Sequence, residues 1–185
     1  MATPAYGPSA LLTPANAITL GRVVATPFLV AAILAQETGW GLFAVWVVLA
    51  ATDGADGWLA RRQGTTRSGA FLDPLADKIV VLSAMAALVS IDRIWWVPVA
   101  LIGLREVAVS VYRSYVGRRG ISVPARPLAK VKTLFQDVVV GLALVPADGP
   151  VYENFIVAIL WAAVALTVVT GVQYLWDGRR VIRAV

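Results

Sequence analysis

Cysteine and histidine are both missing from this chain of 185 residues. Their absence excludes disulfides, thiol nucleophiles, Cys/His zinc sites and imidazole acid–base chemistry. Charge is also scarce, at 15% of residues, against about 25% in soluble globular proteins. Any catalysis must therefore use Asp, Glu, Lys, Arg, Tyr or Ser, or a metal held by oxygen ligands. Hydrophobic residues fill the deficit at 59% of the chain, and mean hydropathy is +0.76. That composition reads as an all-α integral membrane protein, with residues 1–185 forming a single membrane domain.

Apolar stretches at 17–36, 79–91, 94–110 and 155–175 stand out, with shorter ones at 39–51 and 138–146. A bilayer needs roughly 20 residues per helix. The short stretches reach that length only if their helices run on through Asp53 and Asp56, and back to about Lys130. The pattern predicts a six-transmembrane-helix bundle over about 15–36, 39–62, 69–91, 94–118, 127–146 and 151–177. Short connections predict antiparallel packing of sequence neighbours. The basic residues then fall on one side. Arg61, Arg62 and Arg67 lie in the second connection, and Arg113, Arg118, Arg119, Arg126, Lys130 and Lys132 surround the fourth. Arg179, Arg180 and Arg183 form a C-terminal tail. The positive-inside rule puts both termini in the cytoplasm of a multi-pass protein of the cell membrane. The first twelve residues carry no Lys or Arg, so a cleaved signal peptide is not expected. The net charge of +5 is thus topological, facing membrane lipids rather than nucleic acid.

Four carboxylates interrupt the apolar pattern near the cytoplasmic ends of the second and third helices. Asp53, Asp56, Gly57 and Ala60 recur at i, i+3, i+4 and i+7, which is one helical face. Gly69, Asp73 and Asp77 recur at steps of four, again one face. A short loop turns the two faces together. Converging carboxylates repel unless a cation lies between them. Oxygen ligands of this kind suit one or two Mg²⁺ or Mn²⁺ ions. The alternative is structural: pairing with Arg61, Arg67 and Lys78, with Asp73 before Pro74 starting a helix. Gly57, Ala60 and Gly69 let either a ligand or a neighbouring helix approach closely.

The run Asp53-Gly54-Ala55-Asp56-Gly57-Trp58-Leu59-Ala60-Arg61, followed by Gly69, Asp73 and Asp77, resembles a known signature. It is similar to the motif D-x2-D-G-x2-A-R-x8-G-x3-D-x3-D of the CDP-alcohol phosphatidyltransferases. Every fixed residue type matches. One spacing departs: seven residues, not eight, separate Arg61 from Gly69, which bears on Thr65, Thr66 and Arg67 more than on the aspartates. The resemblance implies a metal-dependent transfer from a CDP-linked lipid to an alcohol, with CMP leaving. It implies that Asp53, Asp56 and Asp73 bind two metal ions, and that Asp77 is both ligand and proton acceptor. Gly57, Ala60, Arg61, Thr66 and Gly69 would contact the CDP moiety. Asn16, Thr19 and Arg22 resemble the family's first-helix pattern and would meet the lipid pyrophosphate. The family is commonly homodimeric.

The run from Gly69 to Lys78, with Arg105-Glu106 and Lys130-Val131-Lys132-Thr133, is similar to the branch that uses CDP-diacylglycerol and glycerol 3-phosphate. Arg105, Lys130 and Lys132 are cations of the kind a phosphorylated acceptor needs. Each has a plainer reading: Arg105 pairing with Glu106 or Asp137, and the lysines setting topology. Within the family the rivals are cardiolipin synthases and phosphatidylinositol phosphate synthases. A divalent-cation transporter is the rival of another class, weakened because the aspartates lie near one membrane face and not at the midplane. Trp95 and Trp96 fall where an interfacial aromatic belt is expected.

Overall fold

A computed structural model of the chain describes residues 14–35, 39–63, 69–118 and 127–183. Among the described residues there are six α-helices and no strand. They are α1 (Pro14–Leu34), α2 (Trp40–Gln63), α3 (Gly69–Ser90), α4 (Trp96–Arg118), α5 (Pro127–Leu144) and α6 (Pro150–Arg183). Pro14, Pro127 and Pro150 each open a helix, where the missing proline N–H has no partner to lose.

Five helices match the spans read from the sequence closely, and α6 does not. It continues to Arg183, so Arg179, Arg180 and Arg183 belong to its last turns and not to a separate tail. The apolar pattern ends near residue 177, but a helix needs backbone hydrogen bonds, not apolarity, to go on. Gly178, a plausible stop in the sequence, stays helical. The structural alternative for Asp73, that it starts a helix, does not hold. Because α3 begins at Gly69, Asp73 lies a full turn inside it and does not start it. After α3 the chain turns at Asp92, whose φ of 55° is a left-handed conformation that Asp tolerates.

The chain divides into two compact units, Met1–Ile91 with Leu144–Pro146, and Asp92–Ala143 with Ala147–Val185. In the first unit α1 packs on both α3 and α2. A groove of about 490 Å³ follows α1 from Val23 to Leu34 and α3 from Ile79 to Ser90. The buried face of α1 is Asn16, Thr19, Arg22, Thr26, Leu29 and Ile33. These positions follow the helical period. The stripe is polar for nearly three turns, from Asn16 to Thr26, and apolar after that.

In the second unit α4 and α6 are parallel. Trp95 stacks obliquely on Trp161 at 6.1 Å, Arg105 meets Thr170, and Tyr112 meets Tyr174 edge-on at 6.1 Å. α5 runs against both: Lys132 reaches Glu106 while Arg93 reaches Ala143, and Gln136 reaches Thr167 while Leu142 meets Tyr152. Arg93 fixes the α5–α6 turn, donating to the Ala143 and Ala147 carbonyls at 3.1 and 2.7 Å and to Asp148 at 2.8 Å. Gly149, at φ 122°, sets up Pro150 as the first residue of α6.

Two glycines let α4 and α6 close on each other. A Cβ at Gly171 would lie 3.0 Å from Nε of Arg105, and one at Gly178 would lie 2.5 Å from the Tyr112 hydroxyl. Overpacking of this kind costs about 1–3 kcal/mol. Gly178→Ala should therefore lower the melting midpoint by several degrees, since each kcal/mol is worth roughly 2–4 °C at this size. Gly103→Ala, which meets nothing within 4 Å, is the control and should not be destabilising. Equal melting points in a thermal scan would show that Gly178 is not a packing requirement.

Asn16–Leu34 and Pro150–Gly178 are long and apolar enough to cross a membrane, with mean hydropathies of 2.0 and 2.5. Large apolar side chains also lie on the outside. Leu101, Leu104, Val107, Val111 and Tyr115 form one exposed stripe on α4, Leu104 being 71% exposed.

Candidate active site

The polar half of the α1 stripe defines the first site. Arg22 is 3% exposed, and a guanidinium at that depth requires anionic partners. It has them on two other helices. Nη1 donates to Asp53 Oδ1 on α2, and Nη2 lies 3.7 Å from Asp77 Oδ1 on α3. Thr26, one turn on, donates to the Arg22 carbonyl at 2.8 Å. Asn16 and Thr19 are each 1% exposed and continue the polar face toward the helix start. Three helices thus bring one cation and two carboxylates together, and both carboxylates keep partial exposure, at 40% and 26%.

Helical register extends this arrangement. Asp56 lies three residues after Asp53 on α2, and Asp73 lies four before Asp77 on α3, so each shares a helical face with its partner. The side chains of Asp56, Gly57, Ala60, Arg61, Gly69 and Asp73 lie outside the described residues, as does Thr66 altogether. Among the described residues no three acidic side chains gather into a metal site. The donor chemistry nonetheless fits a hard divalent ion. Asp53 and Asp77 already converge on one cation, and carboxylate oxygens are the ligands that Mg²⁺ and Mn²⁺ take.

A second polar cluster lies in the other unit. Arg105 Nη1 donates to Glu106 Oε1 at 2.9 Å, and Nη2 donates to Thr170 Oγ1 at 2.9 Å. Lys132 Nζ donates to the same Glu106 oxygen. Gln136 donates to Thr167 at 3.2 Å, one turn along both helices. Glu106, Lys132, Gln136, Thr167 and Thr170 are all buried. Of the three expected acceptor cations, Arg105 and Lys132 meet through Glu106. Lys130 is exposed and takes no part in this cluster.

The chain matches the CDP-alcohol phosphatidyltransferases over residues 12–169. It belongs to that family. A CDP-alcohol phosphatidyltransferase is a transferase, so the chain is an enzyme. Among its relatives is a probable phosphatidylglycerophosphate synthase of Mycobacterium tuberculosis, 41% identical over 170 residues, covering 86% of this chain and 78% of the relative. A CDP-diacylglycerol–glycerol-3-phosphate 3-phosphatidyltransferase of Escherichia coli K12 is 37% identical over 171 residues, covering 88% and 92%. One of the same name from Rickettsia felis is 33% identical over 168 residues, covering 86% and 91%.

In the sequence of this phosphatidyltransferase, Glu106 suggests only a counter-ion for the adjacent Arg105. The structure adds its pairing with Lys132 and the seating of Arg105 by Thr170 and Gly171. The adjacent Thr170-Gly171 pair, seven residues before Gly178, was the available signal.

Proposed function

We propose that the chain transfers a phosphatidyl group from CDP-diacylglycerol to glycerol 3-phosphate, forming phosphatidylglycerol phosphate and releasing CMP. The convergence of Asp53, Asp77 and Arg22 carries the reading, because a pyrophosphate-bearing donor needs such a mixture of cation and metal-ligand chemistry. The names of the relatives support glycerol 3-phosphate as acceptor.

Asp53, Asp56, Asp73 and Asp77 would hold two divalent ions, Mg²⁺ or Mn²⁺. Bound there, the ions supply charge neutralisation to the donor's pyrophosphate and its leaving group. Arg22, with Asn16 and Thr19, orients that pyrophosphate from α1. Gly57, Ala60, Arg61, Thr66 and Gly69 receive the CDP moiety. Arg105 and Lys132, with Lys130 nearer solvent, hold the acceptor's phosphate. Asp77 takes the proton of the attacking hydroxyl as its oxygen bonds to the lipid-side phosphorus. The P–O bond to CMP then breaks, and CMP carries away the bonding pair.

In this reading residues 1–185 act as one membrane domain, since the family match at 12–169 draws on both units. All six helices cross the membrane, which supplies the apolar surroundings their exposed Leu, Val and Trp side chains require. Both termini are cytoplasmic and the protein is a homodimer.

The test is CMP release from purified protein supplied with CDP-diacylglycerol, a divalent ion and one acceptor at a time. CMP should form with glycerol 3-phosphate and should need all three components. CMP formed only with phosphatidylglycerol or inositol phosphate would move the chain to another branch. Cation flux in vesicles without CMP formation would replace the enzyme reading by transport.

A further inference from the structure

Among the described residues, Glu106 is the one buried acid to which the proposed reaction gives no task. It is 4% exposed, and an ionised carboxylate at that depth is costly unless paired and hydrogen-bonded. Two of its partners share one oxygen. Arg105 Nη1 and Lys132 Nζ each donate to Oε1, one from α4 itself and the other from α5. Two cations that would repel one another are thereby held side by side.

The guanidinium is constrained from α6 as well. Thr170 donates its own hydrogen to the Leu166 carbonyl at 2.7 Å, which leaves its oxygen turned to accept from Arg105 Nη2. Gly171 lies directly behind, and a methyl there would crowd Nε at 3.0 Å and Cγ at 3.3 Å. Arg105 Nε is itself buried without a hydrogen-bond partner. Helices α4, α5 and α6 therefore all contribute to the placing of one arginine and one lysine.

We propose that Glu106 is a positioning residue for the acceptor: it holds Arg105 and Lys132 as a preassembled pair for a phosphate, with Thr170 and Gly171 fixing the tilt of the guanidinium. This rests on reading Arg105 and Lys132 as acceptor-phosphate ligands. Preassembly matters because ordering two long side chains at the moment of binding would subtract from affinity. It matters more for Arg105, whose fork must be aligned to meet a phosphate through two hydrogen bonds.

Glu106→Gln separates this role from simple charge subtraction, because the two give opposite signs. A carboxylate that only dilutes positive charge would, once neutralised, leave a stronger site and a lower glycerol 3-phosphate KM. A positioning carboxylate would leave the cations misaligned, raising that KM by about tenfold or more, the worth of a lost charge-assisted contact. The KM for CDP-diacylglycerol should stay near wild type in the same assay. Gly171→Ala supplies a second arm with every charge intact. It should raise the acceptor KM severalfold by displacing Arg105, and it carries the test if Glu106→Gln does not fold. A lowered or unchanged acceptor KM in Glu106→Gln, or an unchanged one in Gly171→Ala, overturns the proposal. Wild-type protein that releases CMP only with an acceptor lacking a phosphate would instead remove the parent reading, and the role of Glu106 with it.

Discussion

Asp77→Asn is expected to reduce CMP release by about 10²–10⁴-fold, the usual worth of a positioned proton acceptor. The amide keeps the size of the carboxylate but can neither accept the proton of the attacking hydroxyl nor bind a cation as strongly. Asp53→Asn, Asp56→Asn and Asp73→Asn should fall by orders of magnitude too, through lost metal affinity. Misfolding is a weak explanation for such losses. Asp53 and Asp77 are partly exposed, and Arg22 keeps one carboxylate partner whichever of the two is replaced. CMP release per unit of membrane-inserted protein, measured with saturating Mg²⁺ or Mn²⁺, checks the prediction. Near-full activity in two or more of the four variants would show that the aspartates are not the catalytic centre.

The next largest effect is expected at the acceptor cations. Glycerol 3-phosphate carries a dianionic phosphate near neutral pH, so its binding depends on charge-assisted contacts. Arg105→Gln or Lys132→Gln should each remove one such contact, costing about 1.5–3 kcal/mol, or roughly ten- to a hundredfold in acceptor KM. The donor KM should hardly move, which distinguishes a lost ligand from a disturbed fold. Lys130→Gln should do less, because Lys130 is exposed and outside the Arg105–Glu106–Lys132 cluster. Arg105 and Lys132 variants that behave as wild type toward glycerol 3-phosphate would make both residues structural, neutralising Glu106 and nothing more.

Helix number and approximate placement are legible because apolar run length carries them directly. The exceptions have local causes. The end of α6 is not legible in the sequence, because hydropathy falls at 177 while the backbone stays helical to Arg183. α4 starts at Trp96, two residues inside the apolar run, after a left-handed turn at Asp92 that hydropathy does not encode. In the site, spacing alone put Asp53 with Asp56 and Asp73 with Asp77 on single faces, since helical period is a property of sequence. For Arg22 the sequence offers only a resemblance to the family's first-helix pattern. That its side chain spans Asp53 and Asp77 depends on the packing of α1 against two helices, which no local pattern states. Glu106 was obscure for the same reason. One neighbour in the chain, Arg105, suggested a simple pair, and only the tertiary fold brings Lys132 to the same oxygen.

Arg105 against Gly171 and Tyr112 against Gly178 are seven residues apart on both helices. The two contacts act as a key with two teeth: a methyl at Gly178 would collide with the Tyr112 hydroxyl, and one at Gly171 would fit only if Arg105 gave way by a few tenths of an ångström. Sliding α6 by a turn would bring bulkier positions such as Tyr174 or Leu175 toward Arg105. A single inserted residue between 171 and 178 would rotate one notch about 100° away from its tooth while leaving the other engaged. This stretch of the chain should therefore accept changes of residue far more readily than changes of length.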